Sequence, residues 1–62
     1  MTGKELVKTL QKNGWTIDRI QGSHHIMIKY GHKPVSIPVH SGKDLPVGLL
    51  NKLLKDTGLK GG

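Results

Sequence analysis

Ten Lys/Arg against four Asp/Glu give this 62-residue chain a formal charge of +6, with no cysteine. A chain so short buries only ~60% of the surface its unfolded form exposes, which excludes a separate cofactor-binding domain or a large enclosed pocket. Lack of cysteine excludes a disulfide scaffold and a thiolate zinc site.

No apolar run approaches the ~20 residues that span a bilayer, and Met1-Thr2-Gly3-Lys4-Glu5 opens no secretory apolar stretch, so a cytoplasmic setting is expected, with no membrane. The charge favours a polyanionic partner, whether nucleic acid, an anionic surface or an acidic protein. One Trp, one Tyr and no Phe argue against an aromatic base-stacking platform. RNA would be held mostly through phosphates and shape.

Thr2-Gly3-Lys4-Glu5 reads as a capping box. Leu6, Val7 and Leu10 follow as the apolar stripe of a helix of about ten residues, which Asn13-Gly14 ends. From Trp15 the period changes to two. Trp15 to Ile20 is predicted as a first strand, with Trp15, Ile17 and Arg19 on one face. Gln21-Gly22-Ser23 turns the chain into a second strand, Ser23 to Tyr30. Strict alternation there puts His24 with Ile26 and Ile28 on the core side. After Gly31-His32-Lys33-Pro34, a third strand runs Val35 to Val39, and Pro38, with no N–H to donate, implies an edge position or a nitrogen facing outward.

His40 to Leu45 is a polar loop. Asp44 or Leu45 is expected near the cap of a second helix, with Pro46 in its first turn. Val47, Leu49, Leu50, Leu53 and Leu54 recur at helical spacing until Thr57-Gly58, and Leu59 can fold back on the core. The order is α-β-β-β-α: an α+β single small domain, its three-stranded antiparallel sheet packed on two helices. The expected core is Leu6, Val7, Leu10, Trp15, Ile17, Ile26, Ile28, Val35, Ile37, Val39, Leu50, Leu53 and Leu54. One domain is expected over 1–60, with 61–62 a flexible tail.

Four histidines in so short a chain are the unusual feature. An imidazole suits proton transfer near neutrality. Beside a ribose it can take the 2′-hydroxyl proton, and the oxygen then attacks the adjacent phosphorus and expels the 5′-oxygen, with no metal required. His24 and His25 follow the Gly22-Ser23 turn but face opposite ways, and a bulge or late pairing would free His24 from the core side. A histidine on a half-buried strand is more often packed than catalytic, and that bland reading stands beside the chemical one. His32 reads as a solvated loop residue, while His40 could approach His24 or cap its loop. A zinc site from His24, His32, His40 and Asp44 matches no recurring ligand spacing, so no metal is expected. Glu5, Asp18 and Asp56 read as capping or surface charges. Lys4, Lys8 and Lys12 form a basic stripe on the first helix, and Lys29, Lys33 and Lys43 flank the turns of the sheet. These six lysines are the candidates for RNA contact.

Several fragments of the chain, in order, resemble the HicA toxins, small ribonucleases of bacterial toxin–antitoxin pairs. They are Thr2-Gly3-Lys4-Glu5-Leu6, Gly14-Trp15, Arg19, Gly22-Ser23-His24-His25, Val35 to Val39, His40-Ser41-Gly42-Lys43-Asp44-Leu45 and Leu53 to Leu59. The resemblance implies a fold like that of double-stranded-RNA-binding domains. It also implies an mRNA-cleaving enzyme with His24 as catalytic residue, supported by Gly22 and Ser23, and silenced by a HicB-type antitoxin. His25 and His40 are secondary candidates, and no small-molecule cofactor is implied. Leu45-Pro46-Val47-Gly48-Leu49-Leu50 departs from the more polar helix start of many members. The rival reading is a non-catalytic RNA-binding module of the same fold.

Overall fold

The first helix, α1 (Gly3–Lys12), starts at Thr2, whose backbone is extended. Both halves of the capping box form. The Thr2 N–H donates to Glu5 Oε1 at 2.9 Å, and the Glu5 N–H donates to Thr2 Oγ1 at 3.1 Å. At the other end, Gly14 has φ +91, the Trp15 N–H donates to the Leu10 carbonyl and the Gly14 N–H to that of Gln11. This is a Schellman stop, as Asn13-Gly14 predicts. Lys29 Nζ adds a bond to the Asn13 carbonyl at 2.8 Å. The described residues of this computed structural model are 1–59, so Lys60 and the tail expected at 61–62 lie outside them.

Three strands follow: β1 (Thr16–Gln21), β2 (His24–Ile28) and β3 (Val35–Pro38), in the order β1-β2-β3 and antiparallel throughout. The molecule is therefore the α+β, α-β-β-β-α arrangement that the patterning predicts. β3 is an edge strand, which suits Pro38 because it has no N–H for a further neighbour. Both helices pack against β3, and every residue of β1 stays exposed.

Strand parity departs from expectation in two places. Ile17 pairs with Met27, but the next pair is Arg19 with Ile26, so Asp18 is a bulge. The extra residue turns Arg19 to the face opposite Ile17. In β2, Met27 is fully buried beneath the helices, while Ile28 is 37% exposed and Ile26 is half-buried. The core parity is His25 and Met27, not His24, Ile26 and Ile28. In His24-His25-Ile26-Met27-Ile28 both parities carry apolar residues, so alternation does not choose between them. The choice comes from β3, whose Ile37 and Val35 lie opposite His25 and Met27.

The core comprises Leu6, Val7, Leu10, Trp15, Met27, Ile37, Leu45 and Leu53, with Val35, Val39, Leu50, Leu54 and Leu59 packed partly buried against it. Leu59 thus folds back as expected, whereas Ile17, 36% exposed, lies at the uncovered margin. Leu45 is buried in this cluster, and its N–H donates to the Met1 carbonyl at 2.8 Å, next to a bridge between Thr2 and Asp44. That pairing engages Asp44 and Leu45 before the second helix. The cap of α2 (Val47–Asp56) accordingly falls on Pro46, with no side-chain cap bond. Thr57 closes the helix by donating its hydroxyl to the Leu53 carbonyl at 2.7 Å. Among the described residues, no helix is long and apolar enough to cross a membrane.

Candidate functional site

Gln21 and His24 are paired, so Gly22 and Ser23 form a two-residue hairpin loop. Gly22 has φ +58, and no non-glycine residue has a positive φ, which makes this a type II′ turn. Nothing lies within 4 Å of a Cβ built on Gly22, so glycine is required for its backbone angle and not for space. The Val39 N–H donates to the Ser23 carbonyl at 2.6 Å, tying the turn to the segment after β3. His24 leaves a backbone held on both sides, opposite Gln21 in β1 and Pro38 in β3. Its side chain is exposed, on the sheet face that no helix covers. Directly opposed residues share a face, so Arg19, Gln21, Ile26, Ser36 and Pro38 lie on this open face with it.

His25 is on the helix side, opposite Ile20 and Ile37, and half-buried. Its Nδ1 is buried with no hydrogen-bond partner among the described residues. The two adjacent histidines are thus separated by the thickness of the sheet. His40 is exposed, two residues beyond Pro38. It borders one shallow cleft with Thr2, Lys4, Ser41 and Gly42, and a second with Pro38, Lys43 and Leu49. Its loop is turned by Gly42 at φ +70, closed by the Lys43 N–H to the His40 carbonyl at 3.0 Å, and anchored by the Thr2–Asp44 bridge.

His32 sits beyond the far end of β2, its ring centroid 5.2 Å from that of Trp15. It is exposed, as a loop residue should be, yet its ring lies against the indole at a 57° tilt. His24, His32, His40 and Asp44 therefore do not converge. Among the described residues, no three His, Cys, Asp or Glu side chains are grouped to hold a metal ion.

The six candidate lysines are divided by the fold. Lys4 and Lys43 border the clefts at His40, at the end of the sheet that carries His24. Lys8 lies midway along α1, and Lys12 at its far end. Lys33 is in the turn between β2 and β3, beside His32. Lys29 is half-buried and occupied by the Asn13 carbonyl. Glu5 serves the cap, and its carboxyl is held below the usual range chiefly by the Thr2 backbone N–H and then by the Thr2 side chain. Arg19 is the residue that sequence reasoning left out. Strict alternation puts it on the face of Trp15 and Ile17, and only the bulge at Asp18, which has no local signature, brings it to the face of His24.

A family model described as HicA toxin of bacterial toxin-antitoxin matches residues 3–59. The chain belongs to the HicA toxin family. In this HicA protein the match runs from the first residue of α1 to the leucine that folds back after α2, so it covers every element described above. Family membership assigns the chain a toxin's place in a toxin–antitoxin system and implies an antitoxin partner. No curated protein matches the chain.

Proposed function

We propose that this HicA protein is a metal-independent endoribonuclease that cleaves mRNA in the cytoplasm, with His24 as its catalytic residue and a HicB-type antitoxin as its silencing partner. The observation that carries the reading is the position of His24. A solvent-exposed imidazole stands on the open face of a +6 domain, and a type II′ turn and two flanking strands hold its backbone. Proton transfer by a positioned side chain needs that combination of access and restraint, and contributes about 10²–10⁴-fold to rate.

In the proposed reaction His24 takes the proton of a ribose 2′-hydroxyl, and the oxygen attacks the adjacent phosphorus. Gly22 and Ser23 set the position of the imidazole through the turn. Arg19, one strand away on the same face, and Lys4 and Lys43, at the same end of the sheet, are placed to hold phosphate oxygens. A charge aimed at the phosphorane stabilises the transition state more than the ground state. An antitoxin that covers the open face would silence the protein by denying RNA access to His24.

The test compares wild type with His24→Ala under tightly controlled expression, and as purified proteins incubated with RNA in EDTA. Wild type is expected to arrest growth and cut RNA without metal, and the folded variant to do neither. A folded His24→Ala that still cuts would remove His24 from the chemistry. Salt-sensitive binding by wild type with no cleavage would leave a pure RNA-binding module.

A further inference from the structure

We propose that His40 is the general acid of this reaction, protonating the 5′-oxygen that leaves as His24 removes the 2′-hydroxyl proton. The proposal rests on the ribonuclease reading above and adds the second proton carrier which that reading lacks. His24 is opposite Pro38, and the ladder continues one step past β3 through the Val39 N–H to the Ser23 carbonyl. β3 itself ends at Pro38, and His40, two residues on, lines a cleft together with Pro38, the residue directly opposite His24. His24 and His40 thus flank Pro38, one across the ladder and one along the chain, and the proposal sets one phosphodiester between their imidazoles.

The surroundings of His40 fit the role. It is exposed, and its loop is restrained by Gly42, by its own carbonyl and by the Thr2–Asp44 bridge. The charged groups facing it are Lys4 from α1 and Lys43 and Asp44 from its own loop. The other histidines are misplaced: His25 is on the helix side of the sheet, and the His32 ring lies tilted against Trp15 at the opposite end. A lysine ammonium, with an ordinary value of about 10.4, is a poorer match for proton donation at neutral pH than an imidazolium.

The step balances as follows. The 2′-hydroxyl proton passes to the His24 imidazole as the 2′-oxygen bonds to phosphorus. The bond from phosphorus to the 5′-oxygen breaks with its electron pair on oxygen, and that oxygen takes the His40 proton. The products are a 2′,3′-cyclic phosphate and a 5′-hydroxyl. The protons then re-equilibrate with water.

The experiment uses a short RNA spanning a cleavage site mapped with the wild-type protein, made with either oxygen or sulfur at the scissile 5′ position. A 5′-thiolate leaves without being protonated, so it bypasses a general acid but still requires the base. His40→Ala is expected to lose about 10²–10⁴-fold on the oxygen substrate and to approach the wild-type rate on the sulfur one. His24→Ala is expected to stay slow on both, and His32→Ala to match wild type on both. His40→Gln, which cannot deliver a proton, is expected to repeat the Ala result and carries the test if circular dichroism shows His40→Ala unfolded. Near wild-type cleavage of the oxygen substrate by the His40 variants overturns the proposal and leaves the ribonuclease reading standing. Loss on both substrates also overturns it, reducing His40 to positioning or binding. A wild-type protein that cuts neither RNA overturns the ribonuclease reading itself, and this proposal with it.

Discussion

The Glu5 carboxylate accepts the Thr2 N–H while Thr2 Oγ1 accepts the N–H of Glu5, and this reciprocity makes the start of α1 sensitive to acid. The folded state holds the carboxyl below its ordinary value, so its contribution to stability is fully present above the unfolded carboxyl range and is lost as pH falls through the lowered folded value. Thermal melts should therefore show wild type above Glu5→Gln at neutral pH, with the gap closing as the pH is brought below the carboxylate range. A gap that persists in strong acid would mean the carboxylate charge contributes nothing. Thr2→Ala removes the other half of the box and should cost about 1 kcal/mol at neutral pH. Both residues were legible as a cap from Thr2-Gly3-Lys4-Glu5, because a capping box is local and its partners are three residues apart in the chain. The role of Lys29 was not legible. Its partner, the Asn13 carbonyl, lies sixteen residues back with β1 and β2 between, so no local pattern announces the bond.

At the scale of the elements, the helices were readable and the faces of the strands were not. Leu6, Val7 and Leu10 define one stripe of α1 whatever the rest of the molecule does. In β2 the two parities compete, and β3 decides between them by setting Ile37 and Val35 against His25 and Met27. Truncating Met27 should show this. Met27→Ala is expected to cost about 2–5 kcal/mol, enough to unfold a domain of this size, whereas Ile28→Ala on the open face should stay below about 1 kcal/mol. Chemical denaturation of the two variants measures the difference. Equal losses would return β2 to the parity that strict alternation predicts. Gly3 is a second feature seen only in the folded chain. A Cβ there would strike the Pro38 carbonyl, so α1 starts directly against the end of β3. That contact brings Lys4 to the end of the sheet where His24 and His40 lie.

Over the whole molecule, charge and shape act together. The formal charge of +6 raises the local concentration of any polyanion, but the fold distributes it unevenly. Lys4 and Lys43 accompany the histidine end, Arg19 lies on the open face, and Lys12, Lys29 and Lys33 gather at the other end. Affinity for single-stranded RNA should fall steeply with salt, with a log–log slope of about −0.7 per phosphate neutralised. Removing Lys4, Lys43 or Arg19 should flatten that slope by about 0.7 each. Lys29→Ala should instead lower the melting temperature and leave the slope unchanged, since its ammonium is bonded to the Asn13 carbonyl. Binding titrations across a salt series check both expectations, and a flattened slope for Lys29→Ala would return it to the RNA surface.

The order of elements, the cap and stop of α1, and the unusual density of histidine were determined by the sequence alone. Each depends on neighbours within one or two turns of chain, such as a capping box or a Gly after Asn. The family likeness was legible for a related reason, because residues such as Gly22-Ser23-His24-His25 keep their order and spacing as a linear string. Tertiary structure decided which face each strand side chain occupies, which lysines share the end of the sheet with His24, and that His40 lines a cleft with Pro38, the residue opposite His24. Those depend on register, on a bulge at Asp18 and on a contact between Gly3 and Pro38. They are set by pairings between distant segments, whose energies no local pattern records.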